Sequence, residues 1–152
     1  MPLDASIPDA DVTYRIIGCA MRVHERLGPG LKEAAYQRAL TAEMTADGLT
    51  VEEEYQVEVY DGEVWLGRLY MDHRVEQRVV VEVKAFAHLL TNEEVAQVIT
   101  YLAASGLRVG LLINFGRRRL EFKRILAPKA VTDWQQHVRR YVWRPPEARG
   151  PE

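Results

Sequence analysis

The sequence predicts an α/β fold built on a mixed β-sheet flanked by helices. Residues 78–85 carry valines at positions 79, 80, 81 and 83, so both faces of this extended stretch are apolar. Such a pattern is typical of a central strand that is covered on both sides. A helical stretch and a second apolar strand, 107–113, come next. A strand, a helix and a strand in this order imply a right-handed crossover between two parallel strands.

Composition indicates one soluble domain and excludes several classes of protein. The 152 residues are 47% apolar and 28% charged, as in an ordinary globular protein. No run approaches the roughly 18 apolar residues of a membrane span, and residues 1–10 do not resemble a signal peptide. The single Cys19 excludes an internal disulfide and a cysteine-based zinc site, and predicts a cytoplasmic location. The net charge of −2 gives no global attraction to nucleic acid.

Two amphipathic helices are expected before the sheet. The first begins at an N-cap, Asp11, and runs to about residue 27, where Gly28 ends it. The second runs over about 31–47, and Tyr36, Leu40 and Met44 form its apolar stripe. Glu33 falls on that same face. It is either a first-turn carboxylate favoured by the helix dipole or a side chain directed toward a site, and the sequence does not decide.

A hairpin follows, and the length of its second loop determines which charges can meet. Residues 50–60 and 63–75 are the strands, with Asp61-Gly62 as the turn and a bend or bulge near Gly67. A two-residue turn, 76–77, would place Asp72 opposite Val81. A three-residue loop, 76–78, would place Asp72 directly across from Glu82, with Cβ atoms about 5 Å apart. A joint site of Asp72 and Glu82 therefore requires the longer loop or a bulge.

The second half predicts one crossover helix, two strands and a C-terminal helix. Asn92 is the expected N-cap of the crossover helix, on which Gln97 and Tyr101 lie on a separate stripe from the apolar residues. Leu120 and Phe122 are expected on the inner face of the last strand. Residues 129–143 should form an amphipathic helix that packs on this domain or on a partner, with flexible ends at 1–10 and 144–152.

Three charged residues form a chemically coherent set. Glu82 and Lys84 are two apart on one strand and so share a face, where they could simply pair with each other at the strand end. Asp72, on the preceding strand, favours a metal-binding site instead of a simple ion pair. Two carboxylates and a strand carbonyl suit Mg²⁺, which prefers hard oxygen ligands and keeps several waters. Such an ion can polarise a phosphoryl oxygen, and a nearby lysine can stabilise the charge that develops there.

Four motifs in order resemble a known family. Gly30-Leu-Lys-Glu33-Ala-Ala-Tyr36 matches the signature of the GxxExxY proteins. Asp72, Glu82-Val-Lys84 and Gln97-Val-Ile-Thr-Tyr101 resemble the metal-binding, catalytic and Q-x-x-x-Y motifs of the PD-(D/E)XK nuclease superfamily, as in its RecB-like branch. The resemblance covers roughly residues 12–126. The proline of the superfamily's name is absent, and His73, next to Asp72, is expected to be a solvent-facing edge residue.

The resemblance implies a restriction-endonuclease-like core over residues 11–128, with a mixed sheet of about five strands. It implies that Asp72 and Glu82 ligate Mg²⁺ or Mn²⁺, that Lys84 is the catalytic lysine and that Glu33 completes the acidic cluster. Gln97 and Tyr101 would face the site from the crossover helix. The expected activity is metal-dependent hydrolysis of phosphodiester bonds, in DNA more than in RNA.

Direct support for a nucleic-acid partner comes from one basic segment. Residues 115–124 have a net charge of +4, and Arg117, Arg118, Arg119 and Lys123 could contact phosphates. They could equally form a solvated hairpin, and no aromatic platform for single strands is visible. His24 and His137 are read as surface or packing residues. A second hypothesis therefore stays open: a non-catalytic binding module of the same fold that acts through a protein partner or as a homodimer.

Overall fold

The structure, a computed structural model, describes residues 8–127. These residues form three helices and five strands in the order α1, α2, β1, β2, β3, α3, β4 and β5. The predicted C-terminal helix 129–143, the tail 144–152 and most of the N-terminal stretch 1–10 lie outside the described residues. The element bounds are α1 Ala10–Leu27, α2 Glu33–Ala46, β1 Val51–Asp61, β2 Val64–Val75, β3 Val79–Lys84, α3 Asn92–Ser105, β4 Val109–Asn114 and β5 Glu121–Leu126.

The sheet is mixed, as the sequence predicts. Its strand order follows the chain from β1 to β5. Only β3 and β4 pair in parallel, and α3 makes the crossover between them, whereas the other three neighbouring pairs are antiparallel. A hairpin needs only a short turn, but a parallel pair needs a long connection. Among these five strands, α3 is the one helix that connects two neighbours, and those two neighbours, β3 and β4, are therefore the parallel pair.

Helices cover both faces of the sheet and leave two separate apolar cores. On one face, α1 and α2 pack on the odd-numbered valines of β3 through Ile16, Tyr36 and Leu40. On the other face, α3 packs on Val80 and Leu112 through Val98 and Leu102. Because β3 and β4 lie between two helical layers, nearly every side chain in them is buried. This explains why the sequence of β3 reads as a continuous valine run. None of the helices within residues 8–127 has the length and apolar character needed to cross a membrane.

The loop between β2 and β3 sets the register on which the site depends. It contains three residues, 76–78, and pairs Val75 with Val79, as the joint site requires. Glu76 and Gln77 adopt positive φ angles of 53° and 57°, and the Arg78 backbone N–H closes the loop by donating to the Val75 carbonyl oxygen at 3.0 Å. Of the two loop lengths that the sequence leaves open, the structure has the longer one. The predicted bulge near Gly67 is also present, as a register shift opposite Val59.

Strand β2 changes which face its side chains point to at Asp72. Leu69 and Met71 belong to the core under α3, whereas Val75 belongs to the core under α1 and α2. Regular alternation would place all three on one face, because they are separated by even numbers of residues. Beside this point, Glu54 of β1 has a positive φ of 50° and interrupts the ladder with β2. The hairpin thus crosses from one helical layer toward the other at Asp72.

Three sequence predictions at element ends are wrong. Asp9 rather than Asp11 precedes α1, and Thr91 rather than Asn92 caps α3 by accepting a hydrogen bond from the Glu93 backbone N–H. Phe122 is 40% exposed, and Ile125 is the buried residue of β5. An edge strand has apolar cover on one face only, so a one-residue error in phase moves its aromatic side chain into solvent.

Gly116, two residues beyond β4, lies directly against the chain that leaves β3. A Cβ atom there would lie 2.4 Å from the Ala85 carbonyl carbon and 2.5 Å from the Phe86 backbone nitrogen. Both neighbours are backbone atoms, which cannot rotate away as a side chain can. Glycine at this position therefore permits the close approach of the two segments that leave the parallel strands.

We expect Gly116→Ala to lower the free energy of unfolding by about 1–3 kcal/mol, as overpacking does. Gly18→Ala is the matched control, since Gly18 lies inside α1 and its added methyl would meet only the Arg22 side chain at 3.6 Å. That change should stabilise the protein by about 0.5–1 kcal/mol. Urea unfolding followed by circular dichroism measures both. Equal stability of Gly116→Ala and the unmutated protein would contradict the close approach.

Candidate active site

Asp72 and Glu82 meet where the ladder between β2 and β3 ends. The last pair on this side of the ladder is His73 with Val81. Beyond it, the Asp72 backbone N–H donates to Glu82 Oε1 at 2.9 Å, and the Val83 backbone N–H donates to Asp72 Oδ2 at 2.8 Å. Each carboxylate thus accepts a hydrogen bond from the backbone of the opposite strand. The predicted convergence of these two residues is present.

These two hydrogen bonds hold both carboxylates in place. They also give a partner to the Asp72 and Val83 backbone N–H groups, which make no hydrogen bond in the ladder between β2 and β3. Each side chain commits one oxygen to the opposite backbone, which leaves Asp72 Oδ1 and Glu82 Oε2 for other partners. Lys84 Nζ lies 3.9 Å from Glu82 Oε2, and its side chain is only 13% exposed. The Glu82–Lys84 pair expected at the strand end therefore exists, but Asp72 shares its site.

Burial makes this pair of carboxylates reluctant to ionise. The pKa of Asp72 is raised to about 6, mainly because burial removes the carboxyl group from water; the charge of Glu33 adds to the rise, and the Val83 N–H and Lys84 oppose it. Burial, followed by the charge of Asp72, raises the pKa of Glu82 well above its ordinary value. Both shifts have the same cause, which is negative charge placed in a dry setting without an equal positive charge. The site therefore favours a bound proton or a bound cation.

Glu33 is close enough to affect this site electrostatically but is not joined to it by a hydrogen bond within the described residues. It begins α2, is half-buried, and burial raises its pKa while the positive charge of Lys84 lowers it. Within residues 8–127, no group of three or more His, Cys, Asp and Glu side chains is arranged to hold a metal ion. A direct ligand role for Glu33 stays a prediction. Two carboxylates still suit Mg²⁺, which is often held by only one or two of them and by water.

Gln97 and Tyr101 connect α3 to the strand that carries Asp72. Gln97 Nε2 donates to the Tyr101 hydroxyl at 2.9 Å, and that hydroxyl donates to the Tyr70 carbonyl oxygen at 3.4 Å. Burial and the charges of Glu82 and Asp72 raise the pKa of Tyr101, so the hydroxyl keeps its proton. The two residues of the Q-x-x-x-Y motif are thus hydrogen-bonded to each other. Through Tyr101 they bind the backbone of β2 at Tyr70, two residues before Asp72 in the sequence.

The prediction that His73 faces solvent is wrong. The side chain is fully buried, and its Nε2–H donates to Thr41 Oγ1 at 2.8 Å and to the Gln37 carbonyl oxygen at 3.2 Å. Burial lowers its pKa to about 4, so the ring is neutral at neutral pH. Nδ1 has no hydrogen-bond partner among the described residues. His73 thereby fastens β2 to α2 immediately beside Asp72, an arrangement that follows from the change of face in β2.

The basic segment lies beyond β4, and the structure shows no contact between it and the acidic pair. Arg118, Arg119 and Lys123 are exposed, and Arg117 is partly buried. The Arg117 carbonyl oxygen accepts a hydrogen bond of 2.8 Å from His24 Nε2, which confirms His24 as a packing residue. None of the ion pairs within residues 8–127 uses these four side chains. Their role in phosphate binding stays a prediction.

Sequence reasoning missed an aromatic pair that follows Lys84. The rings of Phe86 and His88 stack with centroids 4.6 Å apart and an interplanar angle of 17°. Both rings line a cavity of about 360 Å³ that Lys84 and Gln97 also line. The signal in the sequence was slight, because two rings two residues apart in a loop stack only if the loop is held in place.

A comparison with known families decides the fold family. The family model of the PD-(D/E)XK nuclease superfamily matches residues 10–125. The chain belongs to the PD-(D/E)XK nuclease superfamily. This confirms the predicted restriction-endonuclease-like α/β core with its five-stranded mixed sheet. Nucleases of this superfamily generally depend on a divalent metal ion, and the acidic pair described above is a donor set of the right chemistry.

Four chains of known structure are similar to this PD-(D/E)XK protein. One of them, described as the crystal structure of SSO0001, superimposes with a TM-score of 0.56 at 19% sequence identity. The match covers 70% of this chain and 54% of SSO0001, so the chain spans about half the length of that protein. At this identity the likeness shows the fold alone. No curated protein matches the chain. The narrower resemblance to GxxExxY proteins stays a prediction.

The raised pKa of Asp72 predicts that Asp72→Asn stabilises the protein at about pH 8 in the presence of a chelator. The protonated Asp72 contributes stability that is present below pH about 3.8 and is lost as the pH rises through about 6. Asparagine mimics the protonated form, so the variant should gain up to about 3 kcal/mol at high pH and little at about pH 4. Urea unfolding at both pH values measures the difference.

Glu53→Gln, an exposed carboxylate on the neighbouring strand, is the control and should change stability by less than about 0.5 kcal/mol. A less stable Asp72→Asn variant at high pH would show that the ionised carboxylate stabilises the fold, contrary to this electrostatic picture.

Proposed function

We propose that this protein is a Mg²⁺- or Mn²⁺-dependent nuclease that hydrolyses phosphodiester bonds. The observation that supports this most is the reciprocal bonding of Asp72 and Glu82 across β2 and β3, with Lys84 beside them. A fold without such chemistry has no need to bury two neighbouring carboxylates whose pKa values are both raised by that burial. Membership of the superfamily supports the same reaction class.

Asp72 and Glu82 would hold the metal ion in this proposal, each through the oxygen that the backbone does not use. Glu33 would contribute from across the site, directly or through water. A bound ion would supply positive charge to a phosphoryl oxygen of the substrate. The fixed rotamers of the two carboxylates matter here, because a site that is already arranged loses less free energy when it binds.

Lys84 would donate hydrogen bonds to the phosphate or to the attacking water. Its side chain is nearly buried and its ammonium group lies 3.9 Å from Glu82 Oε2, which supports a role in stabilising negative charge that would develop on a phosphate held at the acidic pair. Gln97 and Tyr101 would act by position. Their hydrogen-bonded unit holds the backbone at Tyr70, and through it the start of the segment that carries Asp72.

Nucleic acid is the partner that fits this chemistry, and we propose DNA before RNA. The exposed arginines and lysine of the basic segment could contact phosphates flanking the scissile bond. The single, buried Cys19 is compatible with a reducing compartment, and the cytoplasm is the proposed location.

A non-catalytic binding module remains the alternative, and one observation favours it. The hairpin of β1 and β2 exposes several large apolar side chains: Tyr60, Val64, Trp65 and Tyr70. Exposed apolar groups near one another are typical of contact surfaces with a protein partner or a second copy of the chain. Sedimentation equilibrium tests the homodimer, since Trp65→Ser should shift a dimer toward monomer.

The nuclease proposal predicts loss of activity in two single variants. Asp72→Ala and Lys84→Ala should each lower metal-dependent cleavage of fluorescent DNA and RNA oligonucleotides by about 10²-fold or more. Calorimetry with Mn²⁺ separates the two roles, because Lys84→Ala keeps the carboxylates and should still bind the ion, whereas Asp72→Ala should not. Glu53→Gln is the control for folding and should cleave normally. Full activity in both variants would reject the proposal. An unmutated protein that neither binds Mn²⁺ nor cleaves either oligonucleotide would favour the binding module.

The basic segment predicts a change in salt dependence. Arg118→Ala combined with Arg119→Ala should weaken oligonucleotide binding and reduce the slope of log K against log salt by about 0.7 per lost contact for single strands, or 0.9 for duplex. Fluorescence anisotropy between about 50 and 200 mM salt measures the slope. Arg38→Ala, exposed on α2, should leave it unchanged. An unchanged slope in the double variant would show that this segment is only a solvated turn.

A further inference from the structure

The loop that leaves β3 presents two aromatic rings beside the acidic site. Phe86 is partly buried and packs against the core under α3, while His88 is exposed and stacks on it at 4.6 Å. Only one residue separates Phe86 from Lys84. An exposed flat ring supported from behind by a second, partly buried ring is an arrangement on which a nucleobase can stack.

The loop is held in this shape by a buried side chain from the neighbouring strand. Asn114 Oδ1 accepts hydrogen bonds from the Phe86 and Gly116 backbone N–H groups at 2.8 and 3.1 Å. Its Nδ2 donates to the His88 carbonyl oxygen at 3.1 Å and to Glu121 Oε1 at 3.2 Å. Glu121 in turn accepts from the Leu90 backbone N–H. The backbone on both sides of the ring pair is therefore fixed before any ligand arrives.

The ring pair and two residues of the candidate active site line one cavity. Its volume of about 360 Å³ is at the lower end of ligand pockets, which is room for one nucleotide rather than a base pair. Lys84 and Gln97 line it together with Phe86 and His88. If a phosphate of the substrate binds at Lys84, the base attached to that phosphate, or the next base along the strand, would therefore lie in the same cavity as the two rings.

The charges in the cavity favour a base over a second phosphate. Glu93 and Glu94, from the first turn of α3, also line it. Glu94 is buried and accepts a hydrogen bond from Thr91 Oγ1, whereas Glu93 is exposed. Carboxylates repel phosphate but accept hydrogen bonds from the exocyclic amino groups of bases. Within this cavity, Lys84 is thus the side chain suited to phosphate, and the rings and glutamates are suited to a nucleobase.

We propose that the cavity walled by Phe86 and His88 binds an unpaired nucleobase next to the scissile phosphate. This inference rests on the proposed nuclease function and narrows its substrate to single-stranded nucleic acid, or to a strand with an unpaired nucleotide. In a duplex, both faces of each base are covered by neighbouring bases, so a base reaches the rings only when it leaves that stack. His88 supplies the contact surface, and Phe86 supports it.

Binding measured without catalysis tests the pocket. The full-length protein is titrated, in Ca²⁺ to prevent turnover, into a fluorescein-labelled single strand of mixed sequence, as DNA and as RNA, and into the matching duplexes. His88→Ala should raise the Kd for at least one single strand by about 5- to 150-fold and leave duplex binding unchanged. His88→Trp should restore or tighten single-strand binding. Leu89→Ala is the control, because Leu89 is exposed on the same loop but does not line the cavity.

Two results would overturn the pocket. One is an unchanged single-strand Kd in His88→Ala, and the other is an equal loss for single strands and duplexes, which would indicate a general phosphate contact. Each is distinguishable from failure of the nuclease proposal. Cleavage that depends on Asp72 but not on His88 would leave a nuclease without this pocket. Binding that depends on His88 without any metal-dependent cleavage would leave the pocket without the nuclease.

Discussion

Two hydrogen bonds between side-chain carboxylates and backbone amides join β2 to β3 where their ladder ends. They hold Asp72 and Glu82 face to face and use the amides of Asp72 and Val83 that would otherwise lack strand partners. Because pairing of the two strands stops here, groups from both helical layers reach the same point. Glu33 of α2 raises the pKa of Asp72, and the two carboxylates raise the pKa of Tyr101 of α3. Both helical layers are therefore coupled electrostatically to this gap between β2 and β3.

The gap is an unfavourable place for charge, and the surrounding structure compensates for it. Two apolar layers enclose the parallel strands, and buried His73 fixes β2 to α2 through Thr41 and Gln37. Burial raises the pKa of both carboxylates, and the charge of Asp72 raises the pKa of Glu82 further, so a bound cation would offset an electrostatic cost of the folded state. A ligand that binds only the folded state returns stability through its binding free energy. A cation bound between the two carboxylates should therefore raise the stability of the folded protein.

Sequence alone predicted the parts of the site that depend on spacing. The valine run identified β3, and counting residues showed that only a three-residue loop or a bulge would bring Asp72 across from Glu82, without deciding between the loop lengths. It could not predict the burial of His73, because that depends on the change of face in β2, which arises from tertiary contacts rather than from local pattern. The stacked rings of Phe86 and His88 were missed for a similar reason. Asn114 lies on another strand, and only the fold brings it under their loop.

The convergence of Asp72 and Glu82 on one cation is tested most directly by crystals of the protein grown with Mn²⁺ and measured at its absorption edge. The predicted result is one anomalous peak between the two carboxylates, within coordinating distance of an oxygen of each and beside Lys84. Carboxylates that still accept their two backbone hydrogen bonds would complete the agreement. A well-ordered site with no anomalous peak, or with Mn²⁺ bound only elsewhere, would contradict it.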